Sequence, residues 1–291
     1  MTAKQTAALS SVVISLIATG LCLFAAQFRI VRLLHLKSRD LHFIASPPEQ
    51  PKDIVLLVID QKSLDRFLEP LLFWHGYYAE AIEAAAEAGA KVLGLDVAFP
   101  IPVDKWAAGL DQRMASAVIT TAPVMPVICG YAAVTLDRQR DWVVPMNMAA
   151  AALGQTAYVN LHADEDDFIR SIELTEPEGS KSLSLSVAER FRGGSIQYPD
   201  RIMKIRYAGP AGTFSRISLS EFGDSARAGR REQLREWVGG KAVLLGPDTI
   251  SDRHATPYYA FQAGPPANTA GVEIHANSVW TLLNGRFLRN V

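Results

Sequence analysis

Ile54-Val-Leu-Leu-Val-Ile-Asp60 decides how the rest of the chain is read. An unbroken apolar run closed by a carboxylate describes a strand covered on both faces, as in a parallel sheet, because a strand with one wet face would alternate. Towards the C-terminus, residues 77–88 are alanine-rich and predict a helix stopped by Gly89. Lys91-Val-Leu-Gly-Leu-Asp-Val-Ala-Phe99 predicts a second buried strand, so residues 54–99 are expected to form a β-α-β unit with a right-handed crossover.

Helix then strand recurs at residues 110–119 and 124–131. Residues 142–145, 157–161 and 169–174 read as strands broken by turns, and 183–191 as a helix. Strands are expected at 203–207 and 241–245, with the polar helix 230–238 between them and a closing helix over 271–288. No linker is long enough to divide this region. The expectation is one α/β domain over residues 47–291, with a mostly parallel or mixed central sheet flanked by helices.

Towards the N-terminus, Ser46-Pro-Pro-Glu-Gln-Pro-Lys52 cannot continue a helix. Before it, after a short tail of residues 1–6, residues 7–28 carry no charge. As a helix this run would be about 33 Å long, close to a bilayer core. A transmembrane helix is the preferred reading. The alternative is a cleaved signal peptide ending near Phe24-Ala-Ala-Gln27, against which stand the length of the apolar run and a basic region consisting of Lys4 alone. Residues 29–46 continue as a juxtamembrane helix whose Arg29, Arg32, Lys37 and Arg39 suit anionic headgroups. By the positive-inside rule these charges favour a cytoplasmic body.

The 291 residues carry a formal net charge of -1 that hides an asymmetry. Residues 1–39 hold five basic residues and no acidic one, which leaves 24 basic against 30 acidic residues in the remainder. A body of net charge -6 is not expected to bind nucleic acid. Cys22 and Cys129 are too few for a disulfide framework or a cysteine-built zinc site.

The P-loop, dinucleotide-binding, nucleophile-elbow and H-E-x-x-H patterns are all missing from the sequence. What remains is polar chemistry at strand ends. Asp60 and Asp96 close apolar strands, and Gly246-Pro-Asp248-Thr-Ile-Ser-Asp252-Arg-His254 follows a third. Open α/β sheets bind ligands at that edge, so Asp60, Asp96, Asp252 and His254 are expected to meet there and hold a polar ligand or an ion. The competing reading of Asp60 and Asp96 is that each caps the following turn. Glu273, His275 and Asn277 on the closing helix are further ligand candidates. His275 aligns with Val272, Ala276 and Val279, so its other reading is a core histidine bonded to a buried partner such as Asp252 or Asp96. Asp164-Glu-Asp-Asp167 reads as an acidic turn to which Arg170 pairs back, since the glycine and closing glutamate of a calcium loop are missing. Trp74-His75 and Tyr77-Tyr78 read as core aromatics.

Several stretches, taken in order, resemble the type-2 CHASE domain, the second class of cyclase- and histidine-kinase-associated sensory extracellular domains. They are Arg39-Asp40, Ile54 to Asp60 with Ser63-Leu64, Gly89-Ala-Lys-Val-Leu-Gly-Leu-Asp96-Val-Ala-Phe99, Asn160, Asp164 and Arg170. Ile205-Arg-Tyr207-Ala-Gly-Pro210, Gly240-Lys-Ala-Val-Leu-Leu-Gly246, Asp252-Arg-His-Ala-Thr-Pro257 and Gly271-Val-Glu-Ile-His-Ala-Asn277-Ser-Val-Trp-Thr-Leu-Leu-Asn-Gly285 complete the series. The likeness covers residues 30–288. It implies an α/β sensory domain outside the inner membrane, held by one helix before it and usually three after it, upstream of a nucleotide cyclase, a diguanylate cyclase or a kinase. Further membrane helices are then expected after Val291, and the body is expected in the periplasm or extracellular space despite the adverse charge. The expected role is that of a non-enzymatic sensor of a small ligand or ion, without a cofactor, anchored in lipid and working as a homodimer. The competing class is a metal-dependent hydrolase built on Asp60, Asp96, Asp252 and His254.

Overall fold

The computed structural model describes residues 3–25, 27–44, 47–132, 144–259 and 268–288. The chain divides into two compact units, Met1–Ser46 and Pro47–Val291. In the first, helix α1 (Ala3–Ala25) and helix α2 (Arg29–Ile44) are separated by a short turn. Ser10–Ala25 and Arg29–Leu41 meet at 90°. Among the described residues no single helix is long and apolar enough to cross a membrane, whereas this bent pair passes on length and composition together. Helix α1, uncharged beyond Lys4, exposes Ile14, Leu16, Leu21 and Phe24.

In the second unit the apolar run forms β1 (Ile54–Ile59), buried along its whole length. Helices α3 (Gln61–Arg66) and α4 (His75–Glu87) lead to β2 (Val92–Leu95), and α5 (Leu110–Thr121) leads to β3 (Val127–Tyr131). Helix α6 (Pro145–Ala152) precedes β4 (Thr156–Tyr158). An antiparallel pair, β5 (Ser171–Glu173) with β6 (Ile202–Lys204), flanks helix α7 (Leu183–Arg192). The chain continues through β7 (Ser215–Ser218), α8 (Leu219–Arg227), α9 (Arg231–Val238) and β8 (Ala242–Pro247). It closes with the short pair β9 (Arg253–His254) and β10 (Thr269–Ala270) and with α10 (Gly271–Asn284).

The central sheet has six strands in the order β4-β3-β2-β8-β1-β7, and every pairing in it is parallel. The β1-α4-β2 unit is present, but its strands are not neighbours because β8 lies between them and pairs with both. Alternate side chains serve two cores. Val55, Leu57, Leu93, Val243 and Leu245 pack with α4, α5, α8 and α9, while α7 and α10 cover the opposite face. Strands covered on both sides have no polar positions, which is why these runs were legible.

Several expected elements differ from those observed. Strand β2 stops at Leu95 rather than Phe99, and Pro100 and Pro102, which lack an N–H, occupy the loop that follows. Pro145 begins α6 instead of ending a strand, since proline suits the first helical turn, and residues 142–143 lie outside the described residues. Residues 205–207 fall beyond β6. Helix α10 ends at Asn284, where Gly285 takes the left-handed conformation (φ 63°). Strand β7 was missed because Ser-Arg-Ile-Ser is a polar edge strand with no apolar run.

The incoming and outgoing segments of this unit lie together. Glu49 donates its N–H to the Ala208 carbonyl (2.7 Å), and its carboxylate pairs with Arg206 (3.2 Å) and Arg286 (3.4 Å). A cleft of about 570 Å³ opens at this N-terminal edge of the sheet, lined by Gln50, Lys52, Phe191, Arg192, Trp280 and Asn284 among others.

Candidate functional site

A wholly parallel sheet brings all its strand C-termini to one edge. Because β2, β8 and β1 are adjacent, Asp96, residues 248–254 and Asp60 all arrive there. The backbone N–H of Asp96 donates to the Leu245 carbonyl (2.7 Å), which fixes the residue against β8. Its side chain is 10% exposed and accepts no hydrogen bond from any described residue. Burial, with the neighbouring Asp252 charge adding to it, drives the Asp96 carboxyl well above the usual carboxylate range.

Asp252 lies beside the start of α10. A Cβ on Gly271 would fall 2.8 Å from Asp252 Oδ2, so glycine is what lets the carboxylate approach the helix N-terminus, where negative charge is favoured. Asp252 Oδ1 stands 3.4 Å from His254 Nε2. One turn into α10, His275 is fully buried between two partners. Its Nε2 donates to the Val159 carbonyl (3.2 Å), and Ser184 Oγ donates to its Nδ1 (3.0 Å). That pattern suits a neutral ring, and burial pushes its pKa down to about 4 against the weaker opposing pull of the Val159 carbonyl. The expected aspartate partner is corrected here: Asp96 Oδ1 lies 3.8 Å from Nε2, beyond hydrogen-bond reach.

Glu273 and Asn277 occupy a different face and act differently. The Glu273 carboxylate accepts from the N–H groups of Gly212 (2.9 Å) and Thr213 (3.0 Å) and from Arg216 Nη2 (2.9 Å). Asn277 Oδ1 accepts from the Ala208 N–H (2.8 Å), and Thr281 Oγ1 accepts from the Arg206 N–H (3.0 Å). Residues 273, 277 and 281 are one turn apart, so a single face of α10 is laced to segment 206–213. Arg216 also donates to Asp248 (2.8 Å), which in turn pairs with Arg253.

Asp60 has its own hydrogen-bond set. Its Oδ1 caps α3 by accepting from Ser63 N–H (3.0 Å) and also takes Ser218 Oγ–H (2.7 Å). None of its partners is Asp96, Asp252 or His254. The structure therefore brings together Asp96, Asp252, His254 and His275, sets Glu273 and Asn277 beside them as fasteners, and occupies Asp60 with Ser63 and Ser218. Among the described residues no three His, Cys, Asp or Glu side chains are grouped so as to hold a metal ion, so the donor set needed by the hydrolase alternative is not assembled.

The model of the CHASE2 domain family matches residues 13–291. The chain belongs to the CHASE2 family. None of the curated proteins and none of the solved structures compared with it matches. CHASE2 domains are extracellular sensory domains rather than catalytic ones, and the six-stranded parallel sheet is the fold of this CHASE2 domain.

Some polar residues of this CHASE2 domain escaped the sequence reading. Ser184 lies on α7 in an apolar-serine alternation that carries no ligand signal, and Arg216 lies on the unrecognised β7. Beneath the loop after Asp96, His75 Nε2 stands 3.4 Å from Asp111 Oδ1, and both are buried. The other Asp111 oxygen accepts from the N–H groups of Val103 (2.8 Å) and Asp104 (2.9 Å), so Asp111 pins that loop. The acidic turn behaves as read, with Arg170 paired to Asp164 (2.9 Å) and Asp166 (2.7 Å).

Proposed function

We propose that this chain is the extracytoplasmic sensory region of a membrane-anchored receptor, binding a small ligand or ion at the Asp96–Asp252–His254 edge. Helix α10 carries the reading. It starts at Gly271 beside Asp252 and ends at Asn284 in the edge where residues 49–53 come in and Arg286 goes out. Fourteen residues of helix cover about 21 Å, so one rigid element joins this edge to the point where the domain meets its flanking segments. A ligand that favours one pose of α10 would bias what lies beyond it, provided its affinity differs between poses. The exposed apolar surface of α1 supports anchoring in lipid, because a water-facing helix would not present Ile14, Leu16 and Phe24 together. Cyclase, diguanylate cyclase or kinase output through paired copies completes this reading.

Two expected results follow. A reporter enzyme that works only after export, joined after Val291, is expected to be active, and activity of a cytoplasm-dependent reporter at the same junction would sink the topology. In cells carrying the native protein, Asp252→Ala and His254→Ala are expected to weaken the ligand response about tenfold or more, as removal of a charged ligand contact does. An unchanged response from folded variants would remove this edge from the signalling route.

A further inference from the structure

The polar groups around Asp96 can be accounted for one by one. His275 has Val159 on one nitrogen and Ser184 on the other. Asp252 has His254 at 3.4 Å, and the Asp96 N–H is taken by Leu245. The Asp96 carboxylate alone, nine-tenths buried, has no donor. Buried polar groups are normally hydrogen-bonded because the loss of water otherwise goes uncompensated. Solvent at the exposed tenth of the side chain, or a bound ligand, is left to supply a donor.

The surroundings restrict its chemistry. The Asp252 charge that raises the Asp96 carboxyl also disfavours an anion beside it. A hard or borderline metal ion needs several grouped protein donors, and among the described residues no such group exists. A primary ammonium is a compact cation with three N–H donors, which one buried and one rim carboxylate can share. We infer that this edge takes a ligand bearing a primary ammonium group, with Asp96 as its counter-charge and Asp252 as the second acceptor. The inference rests on the sensory reading above and narrows it to a ligand class.

The test is thermal unfolding of the full 291-residue chain in detergent micelles and amine-free phosphate buffer at constant ionic strength. Methylammonium at about 50 mM is expected to raise Tm by roughly 3 °C or more if it binds with millimolar affinity. Tetramethylammonium, which has the charge but no N–H, is expected to raise it by less than a third as much. Asp96→Asn is expected to abolish the difference between the two cations. Equal effects of the two cations on the wild-type chain overturn the inference without recourse to any variant, as does an absence of any shift. A methylammonium effect that persists undiminished in folded Asp96→Asn overturns it too. If acetate or a magnesium salt instead raises Tm and Asp252→Ala removes that effect, the ammonium class falls while the sensory edge stands.

Discussion

Replacing Glu273 with alanine is expected to lower the unfolding free energy by about 2–4 kcal/mol, because two backbone N–H groups lose their acceptor at about 1–3 kcal/mol each. The Glu273 carboxylate is 2% exposed and receives two backbone N–H groups and the Arg216 guanidinium. Without it, Gly212 and Thr213 lose their acceptor, Arg216 keeps only Asp248, and the turn at 209–213 comes away from α10. Glu273→Gln keeps an acceptor oxygen and is expected to cost about half as much, since a neutral hydrogen bond is weaker than a charge-assisted one. Urea unfolding of the full chain in micelles measures both. A loss below about 1 kcal/mol for the alanine variant would mean that segment 206–213 is held by other contacts.

The second large effect is acid lability set by His275. An unfolded ring takes up its proton near the ordinary value of 6.5 and the folded ring only at about 4. Between those values the unfolded chain holds more protons, so stability rises with pH and is lost as pH falls from about 6.5 towards 4. The full swing is about 3 kcal/mol. His75, also pushed down by burial, acts in the same direction. Asp96 acts oppositely: its folded carboxyl keeps the proton above 3.8, so its contribution falls as pH rises through that region. Asp96→Asn is therefore expected to steepen the dependence of stability on pH, and His275→Gln to flatten it. Urea midpoints of the wild type and His275→Gln at pH 7, 6, 5 and 4 decide the matter, and the same pH dependence in both would contradict the neutral, buried state of His275.

The fold was legible where burial leaves no polar positions. Residues 54–59, 92–95 and 242–247 are strands covered on both faces, and their apolar runs could mean little else. Strand β7 and helices α3 and α6 were not legible, because short edge and connecting elements take their stability from neighbours rather than from pattern. The insertion of β8 between β1 and β2 is likewise a property of long-range pairing with no local signature.

At the site, the strand-end rule pointed to Asp96, Asp252 and His254 at one edge, but it could not show that Asp60 has its own hydrogen-bond partners there. The difference lies in Ser63 and Ser218, residues 3 and 158 positions away that occupy the Asp60 carboxylate. The helical period placed Glu273 and His275 on different faces of α10. It could not show that one face meets backbone amides and the other a serine and a carbonyl. Partner identity across the chain is the information a periodic pattern lacks.

The ion pairs that join Glu49 to Arg206 and Arg286 carry a consequence for protein engineering. A body whose two ends are a side chain apart can be spliced into a surface loop of an unrelated host without prising that loop open. Residues 47–288 thus form a transplantable cassette. Its long helix would deliver any ligand-dependent shift to the splice junctions, whatever enzyme or fluorescent reporter supplied the host loop.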